Sequence, residues 1–250
     1  MDLPEPFYPW EEHLAVNLPG AKAVFTTRRG GVSVGPFASL NLGKLTADDP
    51  DTVERNRDLL QSRIGGRLAM IRQVHGPRVV RRDEPSQVSG PRPRSELDEA
   101  DGQVTAMPAV APMVTTADCL PIAVAGGGAV AMLHAGWRGL AEGVIETGVQ
   151  SLRELAPEAT LTAAIGPGAG VCCYEVGDEV RERFSDAAPD VIRGRNLDLK
   201  AIARAQLVAA GVSQVHDVGL CTICSPAVLF FSHRRDRGVT GRQAGIAWLT

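Results

Sequence analysis

The sequence predicts an α/β fold: one domain built on a mixed, largely buried β-sheet flanked by helices. Three observations carry this. Short apolar runs without helical period, such as Met113–Thr116, Pro121–Ala125 and Ala129–Leu133, read as buried strands. The stretch Gly136–Leu155 sets Leu140, Val144, Val149, Leu152 and Leu155 at helical spacing. The 250 residues suit one large domain, and no repeat, low-complexity tract or linker divides them.

Taken in order, Ala21–Thr26 is a strand, followed by the turn-rich segment Arg28–Gly43. Thr52–Ile64 carries Val53, Leu59, Leu60 and Ile64 among charges, an amphipathic helix with Asp51 as its N-cap. Leu68–Gln73 and Arg78–Arg82 are strands around a turn at Gly76-Pro77. Ser86–Glu99 is polar, holds two prolines and reads as a surface loop. After the three central strands and the long helix, Leu161–Ile165 is a strand ending in the Gly166-Pro167-Gly168 turn. Val176–Phe184 and Leu197–Ala210 read as helices, the second closed by Gly211 at C′. Gln214–Val218, Ala227–Ser232 and Gln243–Leu249 complete the strands.

The totals exclude several classes. Hydrophobic residues make up 44%, charged residues 22% and aromatics 4%, so the core comes mainly from Val, Leu, Ile and Ala. A net charge of −3 without a basic block argues against nucleic acid. No apolar stretch is long enough to span a bilayer. The first residues, MDLPEPFYPWEEHLAV, have neither a basic region nor an apolar one, and the cysteines number five, an odd count. The protein is therefore expected in the cytoplasm, as a monomer or homodimer, with thiols or metal ligands rather than disulfides.

Three segments share one pattern. Met70–Val74 runs into His75, Met113–Thr116 is closely followed by Asp118-Cys119, and Ala129–Leu133 runs into His134. Each sets a metal-capable side chain at or just past the carboxyl end of a strand, where loops converge over an α/β sheet. Two imidazoles and a thiolate suit Zn²⁺ with a fourth position open to water or substrate. A satisfied polar role for both histidines and a small hydrophobic role for Cys119 is the plainer account. The neighbourhoods favour a site: Gln73-Val74-His75-Gly76 and His134-Ala135-Gly136-Trp137-Arg138-Gly139 surround the imidazoles with Gly, Trp and Arg.

Cys221-x-x-Cys224 lacks the second such pair of a zinc ribbon, since Cys172-Cys173 is vicinal and badly spaced for it. Pro226 and a strand follow rather than a helix, so the pair reads as structural or site-wall thiols, not redox ones. Arg28, next to Arg29 and before Gly30-Gly31, suits a phosphate or carboxylate, because the guanidinium fork pairs bidentately and Gly lets the backbone approach. Arg138, Arg234, Arg235 and Arg242 are the other candidates, against the plainer account of solvated arginines.

Seven ordered motifs carry a resemblance. They are Thr26-Thr27-Arg28 with Gly30-Gly31-Val32-Ser33 and Leu40-Asn41-Leu42-Gly43, then Gln73–Gly76, Thr116-Ala117-Asp118-Cys119 and His134–Gly139. Tyr174-Glu175-Val176-Gly177, Cys221-Thr222-Ile223-Cys224 and Phe231–Asp236 with Thr240-Gly241-Arg242 follow. Together they resemble the laccase-domain, or multicopper polyphenol oxidase, family of purine nucleoside phosphorylase type. The resemblance runs from about Ala21 to Leu249, which leaves residues 1–20 peripheral.

The resemblance implies a layered α+β sandwich and zinc at His75, Cys119 and His134. It implies phosphorolysis of adenosine, inosine, guanosine and methylthioadenosine to base and (methylthio)ribose 1-phosphate, and deamination of adenosine to inosine. Purine nucleosides and phosphate are then the partners. Asp118 is the expected proton carrier with Glu175 as its rival, and Arg28, Arg138, Asn41 and Glu175 are expected to touch substrate. The family tends to have Cys and Ile where this chain has Gly168 and Ala169, and Tyr where it has His233.

Two other readings stay open. A His₂Cys set with a distant Met, here Met113 or Met132, is also a copper site, so a copper-dependent phenol oxidase is an alternative. Five histidines in all, two of them committed, are too few for a trinuclear copper cluster. A non-catalytic zinc module would close with a fourth ligand such as Cys224 or His216.

Overall fold

A computed structural model describes residues 3–84, 97–185 and 190–250. Most of the predicted loop at Ser86–Glu99 lies outside the described residues. The fold class is the predicted one, but the strands form two large mixed sheets rather than one.

The first sheet contains β1 (Tyr8–Trp10), β2 (His13–Leu18), β3 (Ala21–Phe25), β4 (Arg67–Ala69), β7 (Val110–Thr116) and β14 (Gln243–Leu249), in the order β1-β2-β3-β14-β7-β4. The second contains β5 (Val79–Arg81), β6 (Gly102–Thr105), β8 (Leu120–Gly126), β9 (Ala129–Ala135), β10 (Thr162–Ile165) and β13 (Gln214–Asp217), in the order β13-β10-β8-β9-β6-β5. A small ribbon, β11 (Ile192–Arg193) with β12 (Asn196–Leu197), stands apart.

Period-two alternation sorts side chains into layers. On β9, Val130 and Met132 face the other sheet, whereas Ala129, Ala131, Leu133 and Ala135 face the helices. His134 continues the Val130–Met132 row, which aims it into the gap between the sheets. That gap is filled from both sides by Phe25, Val114, Ala123, Ala164 and Ala247 among others. Helices α2 (Trp137–Glu142), α3 (Val144–Leu155), α4 (Asp178–Glu182) and α5 (Leu199–Ala209) pack on the outer face of the second sheet. Helix α1 (Pro50–Gln61) covers the first sheet through Leu60, against Leu40, Leu42 and Trp248. Each fully buried Leu or Ile in these layers contributes about 1.5–3 kcal/mol.

Several boundaries differ from expectation for local reasons. Helix α1 starts at Pro50, with Asp49 rather than Asp51 as N-cap, its carboxylate accepting from the Thr52 N–H at 2.7 Å. The predicted long helix is split at Gly143, whose φ of 88° ends α2 and starts α3. The predicted strand at Ala227–Ser232 is irregular: Leu229 N–H bonds to Pro226 O, and Gln243 rather than a neighbouring strand takes the Phe231 backbone groups. Residues 13–18 are not peripheral. Strand β2 pairs with β3, and Leu14, Ala15 and Val16 are fully buried.

His13, 3% exposed on β2, accepts a 3.3 Å hydrogen bond from the Thr27 N–H at Nδ1, while Nε2 has no partner among the described residues. Burial and the nearby Arg63 guanidinium push its pKa down to about 4. The native state keeps His13 neutral where the unfolded chain, titrating at 6.5, takes up a proton. Its contribution is therefore complete above pH 6.5 and is lost as pH falls toward 4. The wild-type protein is expected to lose about 2–3 kcal/mol more than His13→Gln across that window in urea unfolding. Parallel pH profiles for the two proteins would refute it.

Candidate functional site

The three metal-capable side chains of the sequence meet. The donor atoms of His75, Cys119 and His134 lie within 4.8 Å of one another. The two imidazole rings stand edge to face, with centroids 4.8 Å apart. His134 is on β9, Cys119 is in the turn joining β7 to β8, and His75 is in the loop after β4. Both sheets thus contribute to one mouth. Gly136, just past β9, forms its floor: a Cβ there would lie 2.9 Å from the Cys119 sulfur and 3.3 Å from the His75 ring.

Asp101, which the sequence reading missed, organises this set. Its fully buried carboxylate holds His134 Nδ1 at 2.7 Å through one oxygen. The other oxygen accepts from the N–H groups of Val74 at 3.1 Å and Gly76 at 2.8 Å. One side chain therefore orients His134, leaving Nε2 for the site, and clamps the backbone on both sides of His75. That clamp matters because His75 has φ 63°, as Asp118 has φ 89°. Such conformations cost about 1–3 kcal/mol each and persist only where surrounding bonds hold them.

The electrostatics follow from these contacts. Burial would raise the Cys119 thiol, but the charge and hydrogen bond of His134, joined by His75, hold it down to about 6. Burial would lower His134, but the Cys119 sulfur and the Asp101 carboxylate lift it to about 9. Burial would also raise Asp101, yet its bond to His134 and its two N–H donors keep it below the ordinary carboxylate range. A thiolate and two imidazoles, one oriented by a buried carboxylate, are the donor chemistry that fits zinc.

A cleft of about 400 Å³ opens over the trio. Met70, Ile71, Met113 and Trp137 supply apolar walls, and Lys44, Arg57, Arg72, Arg138, Arg234 and Arg242 supply positive charge. Asp118 is the single acidic residue among the described lining residues, so the cleft attracts anions.

The other predicted residues fall in different places. Arg138 lines the cleft, its guanidinium stacked 4.5 Å from the Trp137 ring and without a hydrogen bond among the described residues. Arg28 does not line it. Its fork is spent on the carbonyls of Ala38, Pro36 and Ala227 at 2.5, 3.3 and 2.9 Å, and its carbon lies 4.4 Å from the Phe231 ring. Arg28 ties loops together. Asn41 is buried and holds the Gly43 and Arg242 N–H groups, so it shapes the wall from behind. Glu175 pairs with Arg195 at 2.5 Å in a neighbouring shallow depression rather than in the cleft. Asp118 reaches the lining, but its oxygens accept from Thr222 Oγ1 and the Arg234 N–H, each at 2.7 Å. It holds backbone beside Cys119, and both its oxygens already have protein donors. His233, by contrast, lines the cleft with an imidazole that has no hydrogen bond among the described residues.

The model of the family described as multi-copper polyphenol oxidoreductase laccase matches residues 22–250. The chain belongs to this family. Within the laccase-like family, it is 44% identical over 239 residues to a purine nucleoside phosphorylase of Pseudomonas aeruginosa, covering 91% of this chain and 93% of that protein. It is 44% identical over 250 residues to a purine nucleoside phosphorylase of Xylella fastidiosa, covering 92% and 93%. The crystal structure of YlmD from Geobacillus stearothermophilus superposes with a TM-score of 0.88 at 35% identity, covering 98% of this chain and 99% of that one. Structural relatives share the fold described here.

Proposed function

We propose that this protein is a zinc-dependent purine nucleoside phosphorylase that also deaminates adenosine to inosine, acting in the cytoplasm. The observation that carries this reading is a trio of donors, His75, Cys119 and His134, open to an apolar-walled, cationic cleft. Relatives named purine nucleoside phosphorylase at 44% identity over most of the chain support the phosphorolytic part. Adenosine, inosine, guanosine and methylthioadenosine are the proposed substrates, each giving its base and (methylthio)ribose 1-phosphate.

When bound, zinc supplies Lewis-acid polarisation and a water of lowered pKa. The chain's own residues do the rest. Asp101 fixes the His134 tautomer and the His75 loop. Trp137, Met70 and Met113 offer the apolar surface for the purine and keep water from it. The Arg138 guanidinium, uncommitted among the described residues, holds phosphate in place of the Arg28 expected from sequence. His233 is the imidazole in reach for proton transfer, while Asp118 positions the Cys119 turn.

The assays are direct. Adenosine alone should yield inosine and ammonia, and inosine with phosphate should yield hypoxanthine and ribose 1-phosphate. Arg138→Ala should lower kcat/KM for phosphorolysis by about 1.5–3 kcal/mol, roughly 10- to 150-fold, and deamination far less, because only phosphorolysis binds an anionic co-substrate. Equal losses in both reactions would remove Arg138 from the phosphate. The family's name and Met113 in the cleft lining favour one second reading, copper-dependent phenol oxidation. Phenol turnover with added copper far above either nucleoside rate would establish it instead.

A further inference from the structure

Away from the trio, the fold brings together four thiols that their spacing in the chain had kept apart. The sulfurs of Cys172, Cys173, Cys221 and Cys224 all lie within 4.8 Å of one another, with Cys172 and Cys224 at 3.6 Å. Four sulfurs each about 2.3 Å from a tetrahedral ion would stand about 3.8 Å apart, so this cluster needs little movement to enclose one.

The backbone is arranged for the same purpose. Gly168 and Cys221 form a bridge between the two loops, and the Thr222 N–H donates to Gly168 O at 3.0 Å. The Gly170 N–H donates to the Cys221 sulfur at 3.2 Å. A tight turn, with the N–H groups of Cys173 and Tyr174 both on Gly170 O, presents the vicinal pair opposite. Cys172 and Cys224 are exposed and Cys221 is buried, which gives an ion a path in and a closed inner side.

We infer that Cys172, Cys173, Cys221 and Cys224 form a second, closed metal site that binds one soft divalent cation of the zinc class through four thiolates. Binding releases the thiol protons to solvent and involves no electron transfer. Four protein ligands leave no open position, so this ion is structural, unlike one held by the trio. Its place explains its use. One loop carries Tyr174 into the cleft, and the other carries Thr222, which holds Asp118 beside Cys119. The ion staples the cleft wall to the turn behind the catalytic thiolate.

The test uses His75→Ala/Cys119→Ala protein, in which the trio cannot contribute, purified under reducing conditions without added metal. We expect one equivalent of zinc by elemental analysis, and its loss on adding Cys221→Ser/Cys224→Ser. The four remaining cysteines provide a measurement without cluster substitutions: alkylation should be blocked in the metal-bound protein and should reach all four after chelation. With cobalt in place of zinc, the thiolate-to-metal absorption should appear and then vanish in the Cys221→Ser/Cys224→Ser variant. The inference is overturned if folded double-variant protein takes up no zinc, or if all four thiols react equally with and without chelator. A mass two hydrogens short, with Cys172 linked to Cys224, would likewise replace the metal site by a disulfide.

Discussion

His134→Ala is expected to end both nucleoside reactions and to remove one equivalent of metal. The side chain is 3% exposed, aims Nε2 at the Cys119 sulfur and His75, and has Asp101 as its buried outer partner. Removing it leaves two of three donors, both in connections between strands, and leaves the Asp101 carboxylate buried without its imidazole. The loss of activity should exceed the ~10- to 100-fold that follows removal of an outer partner alone. Metal analysis and both assays on one preparation check this. With the four-cysteine site intact, metal content should fall from two equivalents to one. Activities that survive His134→Ala would point to a contaminating enzyme, and the proposed function would fall with them.

The second large effect is expected at Asp101. Asp101→Asn keeps the size of the side chain but replaces a carboxylate that serves three donors. The amide can accept through one oxygen only, so either His134 Nδ1 or the His75 loop loses its partner. Affinity for zinc at the trio should fall about 10- to 100-fold, measured by competition with a coloured chelator. A merely structural residue would lower stability and leave the affinity of the folded protein unchanged. Asp101→Asn protein that binds zinc as tightly as wild type would therefore strip Asp101 of its positioning role. Asp101→Glu should restore part of the affinity, since the charge returns at a displaced position.

The trio itself was legible because each member stands at or near the end of an apolar run, and strand ends are where an α/β fold gathers its ligands. Asp101 was not legible. It stands between Ala100 and Gly102 at the start of a short strand, and nothing local separates it from a surface aspartate. Its burial comes from β6 pairing with β9, which slides it under His134. Arg28 stands outside the cleft for the converse reason. A Gly-rich turn with an arginine has the chemistry of an anion site, but three carbonyls, two from the same turn-rich segment and one from Ala227, take the guanidinium.

Local order was therefore written in the sequence by itself. Short apolar runs and helical apolar spacing placed β3, β7, β8, β9, β10 and β14 and the helical regions within a few residues, because those patterns depend on near neighbours. Only the tertiary structure decided how the strands divide into two sheets and which loops share a mouth. It also decided that a vicinal cysteine pair would meet Cys-x-x-Cys across the 47 residues between 173 and 221. Those outcomes depend on long-range strand pairing and on close packing between sheets, whose energies are sums over contacts that no sequence window contains.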